Sequence, residues 1–263
     1  MKARLFICLA LLACACTPSH NDLQRFDLNC IVKEINVQAD TLGLPWKAEF
    51  NRFGQLTRMT LFEYDGTVHS INEYSYSCCG VLKGMKELNA AGETVSSSKY
   101  VFDGDFLSEN RAFDANGAEE RRWVQENDGE HIVRSEYYLC NELIHVTTRE
   151  FSGDSYTEDV INDEGELLRH SEVEFFLKED KPTHIISEGV EITVEYNEEG
   201  LPIKSHNAVL NSVGTLQWAE DLGTNPDRYY SYEYDEHGNW TVRYTRNSPD
   251  SQDCTVIRRT IKY

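Results

Sequence analysis

The feature that most constrains the fold of this chain is a turn that recurs along it. In each copy an apolar or aromatic residue precedes Asn or Asp, two variable residues and Gly, as in the segment Phe50–Gly54. The Asx and Gly positions of the six copies are Asn51 and Gly54, Asn89 and Gly92, Asp114 and Gly117, Asn162 and Gly165, Asn197 and Gly200, and Asp235 and Gly238. Glycine accepts the positive φ of such turns and an Asx side chain caps them, so each copy predicts a hairpin connection.

Tighter turns lie between these copies, at Asp65-Gly66, Asp103-Gly104, Asp128-Gly129 and Ser152-Gly153. Successive glycines are then about 12 residues apart, which is the length of one strand plus one turn. The intervening runs alternate as strands do: Val190 to Tyr196 places its apolar residues on one face and Glu191, Thr193 and Glu195 on the other.

The predicted fold class is therefore all-β, a repetitive antiparallel β-meander with about 12 residues per strand plus turn. A single layer would leave both faces wet, so we expect the sheet to be curled or two-layered. The least regular stretch, residues 208–227, is expected to be a long loop or an irregular insertion.

The N-terminus has the pattern of an export signal. Lys2 and Arg4 precede an apolar run, residues 5–13, which is shorter than the roughly 20 residues that span a bilayer. Leu11-Leu12-Ala13-Cys14 resembles a bacterial lipobox, so Cys14 is the expected acylated residue; Cys16 is the alternative, and cleavage without a lipid is the other reading. The expected division is a signal peptide at 1–13, a lipid-anchored tether at 14–28 and a β domain at 29–263.

Six cysteines would remain in the exported chain if Cys14 carries the lipid: Cys16, Cys30, Cys78, Cys79, Cys140 and Cys254. An oxidising compartment would allow disulfides, and the roughly 15 pairings open to six cysteines stay open. Cys78 and Cys79 are adjacent, about 3.8 Å apart at Cα, which is too close for an unstrained disulfide.

The charge and motif content exclude several classes of protein. A formal net charge of −20 repels phosphate backbones, so no nucleic-acid partner is expected. The eight histidines form no H-x-x-x-H pair, and no G-x-S-x-G elbow, phosphate-binding loop or dinucleotide motif occurs. We therefore predict no catalytic residues, no metal site and no cofactor. The four tryptophans fit either a core or a sugar-binding platform: Trp46, Trp123, Trp218 and Trp240.

The last copy of the turn carries a family resemblance. Tyr232-Glu233-Tyr234-Asp235-Glu236-His237-Gly238-Asn239-Trp240 resembles the YD repeat of RHS-type proteins, and the C-terminal segment is similar to repeat-bearing lipoproteins of Bacteroidetes. The resemblance covers residues 50–263 and implies an antiparallel strand–turn architecture. RHS proteins build hollow shells from long arrays. Six copies are too few to close such a shell, so the encapsulating function is not implied.

The expected function is that of a lipid-anchored cell-envelope protein with a non-enzymatic binding or structural domain. Its expected location is the outer membrane, with the domain facing the periplasm or the cell surface. Its expected partners are the membrane, through the anchor, and a protein or glycan. One alternative is an immunity or inhibitor protein whose acidic face neutralises a basic effector. Another is a polysaccharide-acting enzyme, which would need a cleft with two acids roughly 5–9 Å apart.

Overall fold

A computed structural model describes residues 22–39, 44–178, 181–187, 190–210, 216–218 and 226–263. A short 3₁₀ turn, Gln24–Phe26, precedes twenty strands in these ranges, and no helix within them is long and apolar enough to cross a membrane. The strands are β1 Glu34–Ala39, β2 Trp46–Phe50, β3 Leu56–Phe62, β4 Val68–Tyr76, β5 Leu82–Leu88, β6 Thr94–Asp103, β7 Phe106–Asp114, β8 Glu119–Asn127, β9 Ile132–Leu139, β10 Glu142–Ser152, β11 Ser155–Asn162, β12 Leu167–Lys178, β13 Lys181–Ser187, β14 Val190–Tyr196, β15 Pro202–His206, β16 Ala208–Leu210, β17 Leu216–Trp218, β18 Asp227–Tyr234, β19 Trp240–Arg246 and β20 Thr255–Lys262.

Eighteen of these strands form one closed antiparallel barrel. Each strand from β1 to β14 pairs with the next, β15 pairs with β18, and β18, β19 and β20 follow in order. Pairing of β20 with β1 closes the ring, while β16 and β17 form a separate two-stranded hairpin. The predicted all-β antiparallel meander is confirmed, in its curled form. Six copies of the turn were expected to be too few to close a shell, yet this chain closes a ring by itself. The tighter turns between the copies connect the additional strands that closure needs.

The six recurring turns share one hydrogen-bond pattern. In the first copy, Gly54 N donates to Asn51 O at 3.0 Å, and Gln55 N donates to Asn51 Oδ1 at 3.1 Å. The backbone N–H that follows each glycine makes the same contact with the Asx side chain in the other five copies. All six glycines have φ between +74° and +85°. A one-residue register shift accompanies every copy, as expected for a type I turn followed by a G1 bulge.

The turns divide equally between the two ends of the barrel. Consecutive antiparallel strands place their connections at alternate ends. The turns that begin at Asn51, Asn197 and Asp235 therefore lie at one end, here called the near rim. Those that begin at Asn89, Asp114 and Asn162 lie at the other end, the far rim. The six recurring turns therefore lie at both rims of the barrel and do not form one site.

The N-terminal segment, residues 22–33, fills part of the barrel from the near rim. Leu23, Phe26 and Leu28 are buried, and the Phe26 ring lies 5.7 Å from Trp46 and 5.3 Å from Phe50, between ring centroids. The sequence assigned residues 14–28 to a tether. Residues 22–28 of that range pack on the barrel, and residues 14–21 lie outside the described residues.

The irregular stretch after β15 returns to the barrel from the far rim. Within it, β16 and β17 pair as a short hairpin, and Ala208 and Leu210 are both 1% exposed. The Ser205 hydroxyl donates to Ala208 O at 2.6 Å, and Leu210 N donates to the Tyr230 hydroxyl at 3.2 Å. The expected insertion is therefore partly a second internal element, packed against the wall that β15 and β18 form.

Two buried arginines of the wall hold these internal segments. Arg259 on β20 donates to Phe26 O at 2.6 Å, to Asp27 O at 3.1 Å and also to Trp240 O. Its guanidinium carbon lies 3.7 Å from the Trp240 ring centroid, and burial lowers the pKa of Arg259 to about 9. Arg243 on β19 donates to Leu210 O at 3.2 Å and lies on the same indole, 5.8 Å from its centroid. Trp240 thus stands between the N-terminal segment and the inserted hairpin.

Replacement of Arg259 tests the role of this contact. We expect Arg259→Met to lower the free energy of unfolding by about 2–4 kcal/mol, because the buried carbonyls of Phe26, Asp27 and Trp240 lose their donor. The matched control is Arg258→Met, since Arg258 is exposed on the opposite face of the same strand. Urea unfolding followed by tryptophan fluorescence measures both. Equal midpoints for the two variants would contradict a structural role for Arg259.

A pair of glycine substitutions separates turn strain from contact with the N-terminal segment. Gly92 and Gly238 have φ of +82° and +75°, so alanine at either should cost about 1 kcal/mol through strain alone. A Cβ at Gly92 meets nothing within 4 Å, whereas one at Gly238 would lie 3.3 Å from Asn29 Nδ2. We expect Gly238→Ala to be the more destabilising, with faster proteolysis of the N-terminal segment. Indistinguishable unfolding midpoints would show that the Asn29 contact contributes nothing.

Candidate functional site

The register assigns an inner and an outer face to the whole barrel. Side chains alternate along a strand, and residues opposite each other on neighbouring strands share a face. Trp46 packs on the N-terminal segment and therefore faces inward. Following the pairs from Trp46 around the ring places Tyr74, Trp123 and Tyr137 on the same inner face.

The barrel is too wide for side chains of its wall to fill. At about 4.8 Å between strands and a tilt of about 40°, a round barrel of 18 strands measures roughly 36 Å between opposite backbones. The N-terminal segment and the inserted hairpin occupy the side formed by β1 to β3 and β15 to β20, where the buried residues concentrate. Among the described residues, neither segment covers the wall formed by β5 to β13, here called the open wall, whose side chains are mostly half-buried.

The outer face carries charged pairs at mid-strand positions. Arg58 lies between Glu49 and Glu73, at 3.9 Å and 3.5 Å. His170 Nδ1 lies 2.6 Å from Asp159 Oδ1, and this hydrogen bond raises the pKa of His170. A barrel that contacts lipid has an outward apolar band about 25 Å tall. The described outer face has charges where that band would lie, so it faces water.

An aromatic row crosses the open wall near the far rim. Trp123 on β8 pairs with Tyr137 on β9, which pairs with His145 on β10. The ring centroids are 4.9 Å apart in the first pair and 5.2 Å in the second, with the planes tilted by 36° and 38°. Because all three rings are half-buried, the row presents a broad π surface to the lumen.

Two amide side chains adjoin this row. Asn110 lies beside Trp123 across the β7–β8 ladder, and Gln125 lies two residues further along β8. Asn110 Oδ1 and Gln125 Oε1 are both buried and have no hydrogen-bond partner among the described residues. Buried polar atoms of native proteins are normally paired, so these two side chains add unused hydrogen-bonding capacity beside the aromatic row.

A charged belt lies next to the aromatic row. Glu158 on β11 is 8% exposed and accepts from Arg149 Nε at 2.9 Å and from Arg169 on the other side. Thr147 and Ser171 complete this belt on the neighbouring strands. Because two guanidinium groups share one carboxylate, the belt has a positive charge in a strongly acidic chain.

A second aromatic row lies nearer the near rim. His131 stacks on Phe151 at 4.0 Å, Phe151 lies 5.1 Å from Tyr156, and Tyr156 lies 6.2 Å from Phe175, between ring centroids. His145 and Phe151 are on one strand six residues apart, which is roughly 20 Å. The open wall therefore has two aromatic rows with a polar, positively charged belt between them, a length suited to an extended ligand.

The tryptophans expected in a core or on a platform lie in two different parts of the barrel. Trp46 and Trp240 are 4% and 3% exposed and belong to the core. Trp123 lies on the open wall, and the side chain of Trp218 falls outside the described residues. Sequence reasoning missed Tyr137, His145, Asn110 and Gln125. Their alternation with polar residues was visible, but only the register across strands brings them beside Trp123.

The cysteines expected to be lipidated, Cys14 and Cys16, lie outside the described residues. The five described cysteines are not disulfide-bonded: Cys30, Cys78, Cys79, Cys140 and Cys254. Within the described ranges, no three His, Cys, Asp or Glu side chains gather closely enough to hold a metal ion.

No protein-family model matches the sequence, and no curated protein matches it. Among solved structures, the chain is similar to a porin-like protein from Bacteroides uniformis, with 12% identity and a TM-score of 0.40, covering 88% of this chain and 98% of that one. A porin-like protein from Bacteroides vulgatus gives 11% identity and 0.38 over 88% and 98%. The Tc holotoxin pore of Photorhabdus luminescens gives 11% identity and 0.27, over 83% of this chain but 14% of that one.

Proposed function

We propose that this protein is a lipid-anchored, non-enzymatic binding protein of the cell envelope whose open lumen wall binds an oligosaccharide. The observation that carries the proposal is the half-buried aromatic row Trp123–Tyr137–His145 with the amide side chains of Asn110 and Gln125 beside it. Sugars offer C–H faces that pack on aromatic rings and hydroxyl donors that suit amide oxygens. Binding sites generally combine such apolar surfaces with a few placed polar groups.

The charged belt favours an acidic oligosaccharide. Arg149 and Arg169 lie on one face with Glu158 between them, so one positive charge is not neutralised within the group. Arginine forms bidentate hydrogen bonds with carboxylates, and Arg169 is 57% exposed in its side chain. A sugar carboxylate is therefore the group that this belt would bind.

The carboxyl groups of the wall favour binding over hydrolysis. A glycosidase needs one carboxylic acid with a raised pKa. Glu158 is held by two arginines. These contacts support a binding role and not an acid–base pair.

The anchor would place the near rim towards the membrane. Cys14 lies eight residues before Asp22, the first described residue, and eight residues of fully extended chain would reach roughly 28 Å. Asp22 is fixed at the near rim through its carboxylate, which accepts from Leu56 N at 2.7 Å and from the Tyr76 hydroxyl at 2.9 Å. The proposed arrangement is a barrel held close to the lipid surface, with its far rim and aromatic row turned away.

Two adjacent tyrosines test the lumen site. Tyr137 faces the lumen and Tyr138 faces outward, where its ring packs under Arg122 at 4.2 Å. With oligogalacturonides as the probe and titration calorimetry as the measurement, we expect Tyr137→Ala to weaken binding about tenfold or more, or about 1.4 kcal/mol. Tyr138→Ala should bind as the native chain does. Neutral cello-oligosaccharides should bind more weakly than the acidic ones. Equal losses in both variants, or no binding by the native chain, would contradict the proposal.

Two cysteine substitutions test the anchor. We expect Cys14→Ser to abolish metabolic labelling with a fatty-acid analogue and to release the protein from the membrane fraction, because the acylated residue is removed. Cys16→Ser should leave labelling and fractionation unchanged. If Cys16→Ser releases the protein and Cys14→Ser does not, the lipid is on Cys16. If neither variant is released, the protein is not held by a lipid.

A further inference from the structure

A third arginine of the inner face lies beside the aromatic row, apart from the charged belt. Arg121 precedes Trp123 by two residues on β8, so the two side chains share the inner face. Arg121 is exposed and pairs with Ala112 on β7 and with Leu139 on β9. Because β8 begins at the far rim, Arg121 lies on the far-rim side of the row.

The charged belt lies on the other side of the same row. Arg149 follows His145 by four residues on β10, which also begins at the far rim. At about 3.3 Å per residue, the Cα atoms of Arg121 and Arg149 are roughly 20 Å apart along the strand direction. An extended ligand that follows the strands across the row would therefore meet a cation on each side of the rings.

Arg121 differs from outward-facing arginines in its surroundings. On β7, for example, Arg111 Nη2 lies 2.8 Å from a carboxylate oxygen of Glu109 on the outer face. No described Asp or Glu forms an ion pair with Arg121, whose guanidinium carbon lies 5.9 Å from the Trp123 ring centroid. That distance is near the outer limit of a cation–π contact, so the ring holds the guanidinium beside the row and leaves its charge unneutralised.

We propose that Arg121 forms a second carboxylate subsite, so that the open wall binds a polyuronide, an oligosaccharide with carboxylates on successive sugars. This subsite depends on the proposed function and specifies its ligand. Water solvates an exposed arginine well, so an unpaired charge alone would indicate no ligand. The position of Arg121 carries the argument, because a sugar packed on the Trp123 ring would bring the next sugar towards the guanidinium, which can bind a carboxylate by two hydrogen bonds.

The acidity of the chain makes more than one cation necessary for such a ligand. With a formal net charge of −20, the protein repels a polyanion, and a nearby cation must offset this repulsion for each bound carboxylate. In the belt, Arg149 and Arg169 share Glu158, which leaves one positive charge. A ligand with a single acidic sugar would use only that charge. Arg121 adds the second, so the two positions favour repeated carboxylates.

Hexagalacturonide and its fully methyl-esterified form test this subsite on the full chain. By titration calorimetry, we expect Arg121→Gln to weaken binding of the acidic hexamer about fivefold, the upper range for an exposed ion pair. Binding of the uncharged ester should not change, and Arg121→Lys, which keeps the charge, should lose less. Added salt should weaken acidic binding less in Arg121→Gln than in the native chain. Arg122→Gln is the matched control, because Arg122 faces outward and packs on the Tyr138 ring.

The outcomes separate this subsite from the proposed function. If Arg121→Gln binds the acidic hexamer as the native chain does while Tyr137→Ala binds it weakly, the second subsite is wrong and the lumen site remains. Equal losses for the acidic and esterified hexamers, or an equal loss in Arg122→Gln, would also overturn the subsite. If the native chain binds neither hexamer, both proposals are wrong. Equal urea unfolding midpoints for the native chain and Arg121→Gln check that the barrel is intact.

Discussion

The pairing of the first strand with the last is the contact on which the rest of the structure depends. Six residues of β1 pair with β20, from Glu34 opposite Lys262 to Ala39 opposite Ile257. Without this ladder, two strands would be left with unpaired backbone groups at open edges, and the sheet would enclose no lumen. Such distant strands lose much entropy on pairing. The N-terminal segment offsets that loss, because it packs on β2 and is held by Arg259 of β20.

Closure creates an interior, and two internal segments then divide it. A sandwich would bury one sheet against another, whereas here the wall packs on residues 22–33 from the near rim and on the β16–β17 hairpin from the far rim. Arg259 and Arg243 join both segments to the same indole, that of Trp240. A buried guanidinium is costly unless its donors are satisfied. The backbone carbonyls of the inserted segments accept from both arginines, so wall and segments stabilise one another.

Side chains alternate along each strand, so one strand contributes different chemistry to the inner and the outer surface of the barrel. Tyr137 and Tyr138 are neighbours in sequence, yet one joins the lumen row and the other donates to Glu136 outside. Charges paired across strands cover the outer face, and aromatic rings, amides and arginines line the inner one. Among the described residues, the inserted segments cover only one side, and the aromatic rings on the wall from β5 to β13 stay half-buried. The candidate site is this part of the wall, where side chains from adjacent strands form rows across the sheet.

The sequence by itself determined the strands, the turns and the antiparallel meander. These depend on local physics: glycine at positive φ, an Asx side chain that accepts from the backbone, and a side-chain period of two. Only the tertiary structure decided that the meander closes, that Leu23, Phe26 and Leu28 enter the barrel, and that Trp123, Tyr137 and His145 form one row. Those outcomes depend on register between strands and on contacts across more than 200 residues, such as Arg259 to Phe26. A sequence pattern states which face a residue shares with its neighbours, but not what that face encloses.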